Sequence, residues 1–114
     1  MSLTVFEGLQ SEIYVPITPK SIFTPVTKPL SEMVIALASA CGAHLKTDKR
    51  FNLAGDTTYR EIPDNTPTDD LMISHGGYDN SDANRDINCM FPLDRLHELV
   101  KEGFIKATAP THFG

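Results

Sequence analysis

LMISHGGYDNSDANRDINCMFPLDRLHELVKEGFI, residues 71–105, holds the patterns that decide the fold. Leu71, Met72 and Ile73 form a short apolar run of the kind a buried strand carries, and it passes directly into Ser74, His75, Gly76 and Gly77. Farther on, Pro92 is a good first helical residue, and Asp94 stands in the first turn, where the helix dipole favours an anion. Leu93, Leu96, Leu99 and Val100 recur at helical spacing, Glu98 and Lys101 stand three apart as a possible ion pair, and Gly103 supplies a stop. These residues predict a buried strand over 71–73, a helix over 92–102 and a further strand over 104–109. Strand, helix and strand in that order imply an α/β domain with a right-handed crossover.

Upstream, MVIALASA at 33–40 ends at Cys41-Gly42 and fits a strand buried on both faces of a parallel sheet, with a helix capped by Ser31 as the rival reading. Lys46, Asp48, Lys49 and Arg50 read as a solvated turn, residues 57–62 as an edge strand ended by Pro63, and residues 64–70 as a polar loop. Residues 1–30 contain Pro16, Pro19, Pro25 and Pro29, which exclude helix. Apolar residues such as Val5, Phe6, Ile13 and Phe23 are too frequent there for a solvated linker. The expected organisation is an extended Pro-rich arm over 1–30, packed on its own domain or on another subunit, and a single α/β domain over 31–114.

Composition excludes several classes. A length of 114 residues with 40% hydrophobic and 22% charged residues suits one globular domain. A formal net charge of -5, with Lys and Arg scattered, offers no footprint for neutralising phosphates, so a nucleic-acid partner is not expected. The longest apolar stretch, residues 33–41, is far below the roughly 20 residues of a membrane-spanning helix, and no signal segment is expected. A cytoplasmic protein without a membrane span is expected, with Cys41 and Cys89 as reduced thiols.

Polar chemistry concentrates after the strand at 71–73. His75, Gly76 and Gly77 would let backbone amides approach an anion, unless they are simply a glycine turn in which His75 bonds backbone. No G-x-S-x-G accompanies them, which sets acyl transfer aside. Asp82, Asn84 and Asp86 resemble the start of a calcium loop, but Ile87 and Leu93 stand where glycine and glutamate are needed, so turn and capping roles are expected. Cys41, Cys89, His44, His75, His97 and His112 show no metal-ligand spacing, and no metal site is expected. Cys89 reads as a buried small hydrophobe and His97 as a solvated helix residue. His112, just past a predicted strand, is the second histidine with a claim to a site, because ligands gather at the carboxyl ends of strands in open α/β folds. Neither G-x-G-x-x-G nor G-x-x-x-x-G-K occurs, so no dinucleotide or NTP cofactor is indicated.

Three longer phrases carry a resemblance: LKTDKRFNLAGDTTYREIP at 45–63, the stretch at 71–105, and APTHFG at 109–114. They closely resemble the selenoprotein B family of glycine, sarcosine, betaine and D-proline reductases, and SLTVFEGLQSEIYVPITP at 2–19 looks most like the D-proline reductase member. The resemblance implies the amino-terminal part of a layered, Rossmann-like parallel-sheet reductase domain. It also implies reductive cleavage of the C–N bond of a small amino acid, D-proline giving 5-aminovalerate, with a pyruvoyl-containing partner subunit engaging the amine. The family's selenocysteine lies downstream of the segment matched here, so no catalytic nucleophile is carried over onto this chain. The selenocysteine-bearing remainder is expected as a partner, the fragment alone is expected to be inactive, and His75, Gly76, Gly77 and His112 are expected to border the substrate. A sister glycine, betaine or sarcosine reductase component, a non-catalytic assembly module built on the arm, and a metal-binding regulator using His75 and the acidic loop are the alternatives.

Overall fold

The computed structural model describes residues 23–114. Most of the expected arm lies outside the described residues. Within it, residues 23–29 have no regular structure, Phe23 and Val26 are exposed, and the Pro29 backbone is extended before a single 3-10 turn at Leu30–Glu32. That turn is all that forms of the helix weighed for Ser31.

Residues 33–39 run extended alongside 106–113. Strand β1 (Val34–Ile35) pairs in parallel with β5 (Ala107–Thr108), and Ala38 bridges Phe113 in the same sense. Side chains alternate between half-buried and exposed along 33–40, and Val34 is 54% exposed. The expectation of burial on both faces is therefore corrected: among the described residues β1 has one ladder partner, and the segment reaches the core on one side only, through Leu37.

Two further ladders are antiparallel. Strand β2 (Ala43–Leu45) pairs with β4 (Leu71–Ile73), and β3 (Glu61–Pro63) pairs with β6 (Thr111–Phe113). Strand β6 has both edges occupied, since the Phe113 amide donates to the Leu37 carbonyl while Arg60 and Gly114 exchange amide bonds on the β3 side. The fold is thus mixed α/β with small parallel and antiparallel sheets, and a layered Rossmann-like sheet is not formed among the described residues. The expected crossover is also corrected. β4 and β5 flank the helix in sequence, yet they belong to separate ladders.

Helix α2 (Leu93–Lys101) begins one residue after Pro92 and stops at Gly103, whose φ of 81° is the left-handed geometry expected of a helix stop. Leu93 and Leu96 are buried, whereas Leu99 is 38% exposed and leaves the expected apolar stripe. Glu98 pairs with Arg95 at 3.1 Å instead of with Lys101. The short helix α1 (Ser81–Arg85) is tied to β4 by Asn84, whose side-chain amide accepts from the Ile73 N–H at 2.8 Å and donates to the Ile73 carbonyl at 3.0 Å. Asp86 caps the following 3-10 turn by accepting from the Asn88 N–H, the role expected of it, whereas Asp82 pairs with Arg85 at 3.2 Å.

Phe91, Ile62, Ile73 and Leu93 form the centre of the core and are at most 1% exposed. Two histidines, His44 and His112, are buried with them at 0% exposure, and each has a partner on both ring nitrogens. This pairing is what permits polar rings inside an apolar core. Cys41 is buried and Cys89 is exposed, both as free thiols, which corrects the reading of Cys89 as an inward hydrophobe. The 3-10 turn at Ile87–Cys89 directs Ile87 inward and turns Cys89 outward.

Candidate functional site

A cavity of about 660 Å³ opens where three extended segments end. Residues 38–42 follow β1, residues 74–77 follow β4, and Phe113 and Gly114 close β6; the loop 51–59 forms the remaining wall. The site therefore lies at the carboxyl ends of strands, the position that α/β folds reserve for ligands.

The wall loop is held by its own polar groups. Asp56 accepts from the Asn52 N–H at 2.9 Å, from the Thr58 N–H at 2.8 Å and from the Thr58 hydroxyl. The Thr58 hydroxyl bond is the main cause that holds the exposed Asp56 carboxyl down at about 2, helped by the two backbone amides. Arg60 fastens the loop base by donating to the Lys49 carbonyl at 3.1 and 3.2 Å and lying 4.2 Å over the Phe51 ring. Phe51, Tyr59 and Phe113 give the cavity an aromatic side, with Tyr59 and Phe113 edge-on at 5.9 Å.

Of the residues singled out from sequence, His75, Gly76 and Gly77 line this cavity. His75 Nδ1 accepts from the Gly77 N–H at 2.9 Å, so the ring carries its hydrogen on Nε2, and the Gly77 amide is spent within the turn. Gly76 is required by space. A Cβ on Gly76 would lie 2.5 Å from the Leu53 carbonyl oxygen, which locks the 74–77 turn against the wall loop.

His112 does not line the cavity, although its neighbours Phe113 and Gly114 do. It points the other way, into the core. Nδ1 accepts from the Leu37 N–H at 2.9 Å, which leaves the hydrogen on Nε2 to be donated to Asp64 Oδ1 at 2.8 Å. The same Asp64 accepts from His97 at 2.8 Å and from the Thr108 hydroxyl at 2.7 Å. His97, read as solvated, is thus anchored. Partial burial would push the Asp64 carboxyl up, but the hydrogen bonds from His112, His97 and Thr108 outweigh it and hold it at about 2.

Sequence reasoning missed the pair behind the turn. Ser74 lines the cavity, and its hydroxyl lies 2.8 Å from Nε2 of the buried His44. Both stand in the sequence as ordinary polar residues at strand ends, and only the β2–β4 register brings them together. Among the described residues no three His, Cys, Asp or Glu side chains converge on a possible metal position, and no helix is long and apolar enough to cross a membrane.

Comparison with known proteins agrees with the phrases that stand around this cavity. The chain is 62% identical over 112 residues to the D-proline reductase subunit gamma of Acetoanaerobium sticklandii, covering 98% of this chain and 46% of that protein. It is 29% identical over 105 residues to the sarcosine reductase complex component B subunit beta of Peptoclostridium acidaminophilum, covering 87% of this chain and 24% of that protein. It thus spans less than half the length of the curated relatives it matches. No solved structure matches. The model of the glycine/sarcosine/betaine reductase selenoprotein B family matches residues 6–113, and the chain belongs to that family.

Proposed function

We propose that this chain forms the substrate-facing portion of a D-proline reductase-type subunit in a cytosolic complex. The complex would cleave the C–N bond of D-proline reductively to 5-aminovalerate. The observation that carries this reading is the 62% identity to a D-proline reductase gamma subunit along 98% of the chain. His75, Gly76 and Gly77 border the substrate in this reading, and His112 acts from behind as a support of the β6 end.

The nucleophilic selenium and the amine-activating pyruvoyl group belong in this proposal to the remainder of the subunit and to a partner subunit. What this chain's own residues do is bind and orient the substrate and shield it from water. The parallel pairing of β1 with β5 would extend there into the wider layered sheet.

The test is to supply the complete subunit and its pyruvoyl-bearing partner with D-proline and a dithiol reductant and to look for 5-aminovalerate. Product from glycine, sarcosine or betaine alone would move the assignment to a sister reductase, a reading that the 29% identity to a sarcosine reductase component keeps in view.

A further inference from the structure

We propose that Ser74 is the cavity's hydrogen-bond acceptor for a substrate N–H, with its polarity fixed by the buried His44. The Leu45 carbonyl oxygen lies 2.7 Å from His44 Nδ1. A carbonyl oxygen can only accept, so Nδ1 carries a hydrogen, and in the neutral ring Nε2 is then an acceptor. The Ser74 hydroxyl lies 2.8 Å from that Nε2 and must donate to it. With its one hydrogen committed, Ser74 Oγ has only lone pairs left for the cavity it lines.

The fold holds this arrangement firmly. His44 is directly opposite Met72 in the β2–β4 ladder, which makes Ser74 its diagonal neighbour on the same face. The Ser74 N–H donates to the Gly42 carbonyl at 3.0 Å, and the His44 ring is packed edge-on against Phe51 at 5.8 Å. His44 is fully buried, so solvent has no access to scramble its hydrogen-bond direction. The other two rings described with backbone donors, those of His75 and His112, take their backbone hydrogen at Nδ1 and so hold the opposite tautomer. The difference marks His44 as the ring that turns a serine into a pure acceptor.

An acceptor-only hydroxyl beside the aromatic faces of Phe51, Tyr59 and Phe113 suits a small ligand with an ammonium or amine N–H. The choice of an amine rests on the reductase reading above, whereas the acceptor polarity of Ser74 does not. Ser74 would touch the ligand, and His44 would act through it as a positioning residue.

Two isosteres test the assignment in the complete reductase complex with its pyruvoyl carbonyl first reduced by borohydride, so that neither ligand can form an iminium: D-proline, and tetrahydrofuran-2-carboxylate, in which a ring oxygen replaces the N–H donor. The wild type is expected to bind D-proline about tenfold or more tighter than the ether acid, the value of one hydrogen bond from a charged donor. Ser74→Ala should remove most of that difference by weakening D-proline alone, an outcome that a merely structural serine would not give. Equal weakening of both, or an unchanged preference, overturns the proposal, as does failure of the wild type to bind either D-proline or sarcosine. A second readout needs no variant. In the histidine-labelled wild-type complex, ring nitrogen NMR should find the His44 hydrogen on Nδ1 and those of His75 and His112 on Nε2; a hydrogen on His44 Nε2, alone or together with one on Nδ1, overturns the assignment. The two readings fail separately. Production of 5-aminovalerate with an unchanged preference in Ser74→Ala removes the serine and leaves the enzyme. A Ser74-dependent preference for sarcosine over methoxyacetate without D-proline turnover keeps the serine and moves the substrate.

Discussion

A methyl group on Gly42 would lie 2.3 Å from the Ser74 carbonyl oxygen, and φ there is +84°, so an L side chain is opposed by both space and backbone. Gly103 shares the geometry, at +81°, but has open space around it. Gly42→Ala should therefore cost about 2–4 kcal/mol, strain and collision together, and Gly103→Ala about 1 kcal/mol from strain alone. Denaturant midpoints measured side by side check the ordering. Asp64 carries a pH signature. Its carboxyl stands at about 2 against an ordinary 3.8, a depressed value, so the stability it contributes is present in full above the ordinary value and is lost as pH falls toward 2. Asp56 is depressed as well, so the comparison must be with Asp64→Asn, which should show a shallower loss of stability between pH 4 and pH 2 than the wild type. Parallel slopes for the two proteins would refute the role given to the carboxylate. The thiols should also separate: a water-soluble disulfide reagent is expected to modify Cys89 in the native protein and Cys41 only on unfolding.

The elements show how far local pattern reaches. Leu71, Met72 and Ile73 declare β4, and the leucine spacing with Gly103 declares α2 to within a residue at each end, because period and punctuation are properties of the segment itself. Strand β2 has no apolar run of its own. It exists because β4 offers Ala43, His44 and Leu45 a ladder, and that pairing is not written in either segment. For the same reason the one-sided burial of 33–39 was illegible: the number of neighbours around a strand is decided elsewhere in the chain. Site residues divide likewise. His75, Gly76 and Gly77 could be found from their place after a strand, whereas the inward turn of His112 is set by Asp64, 48 residues away, and the Ser74–His44 pair by register. On α2 the difference between pattern and packing can be measured. Leu96→Ala should cost about 2–4 kcal/mol, while Leu99→Ala, at a position 38% exposed that the leucine spacing alone would rank equal, should cost under about 1 kcal/mol.

Among the described residues, three two-stranded ladders are too small to stand alone, and they are joined by polar groups as much as by the core around Phe91 and Ile62. The cavity inherits this construction, since its walls come from four stretches of chain that meet only when all three ladders are in place. Asp64 is a three-way joint. It receives His97, Thr108 and His112 from sequence distances of 33, 44 and 48 residues. A knot that gathers such remote strands can be tied only near the end of folding, after their loops have closed. It should therefore act as a latch on the finished molecule and contribute little to the route by which that molecule is reached. In stopped-flow experiments Asp64→Ala is expected to speed unfolding severalfold and leave the refolding limb nearly unchanged, so that a single carboxylate governs how long the native state lasts.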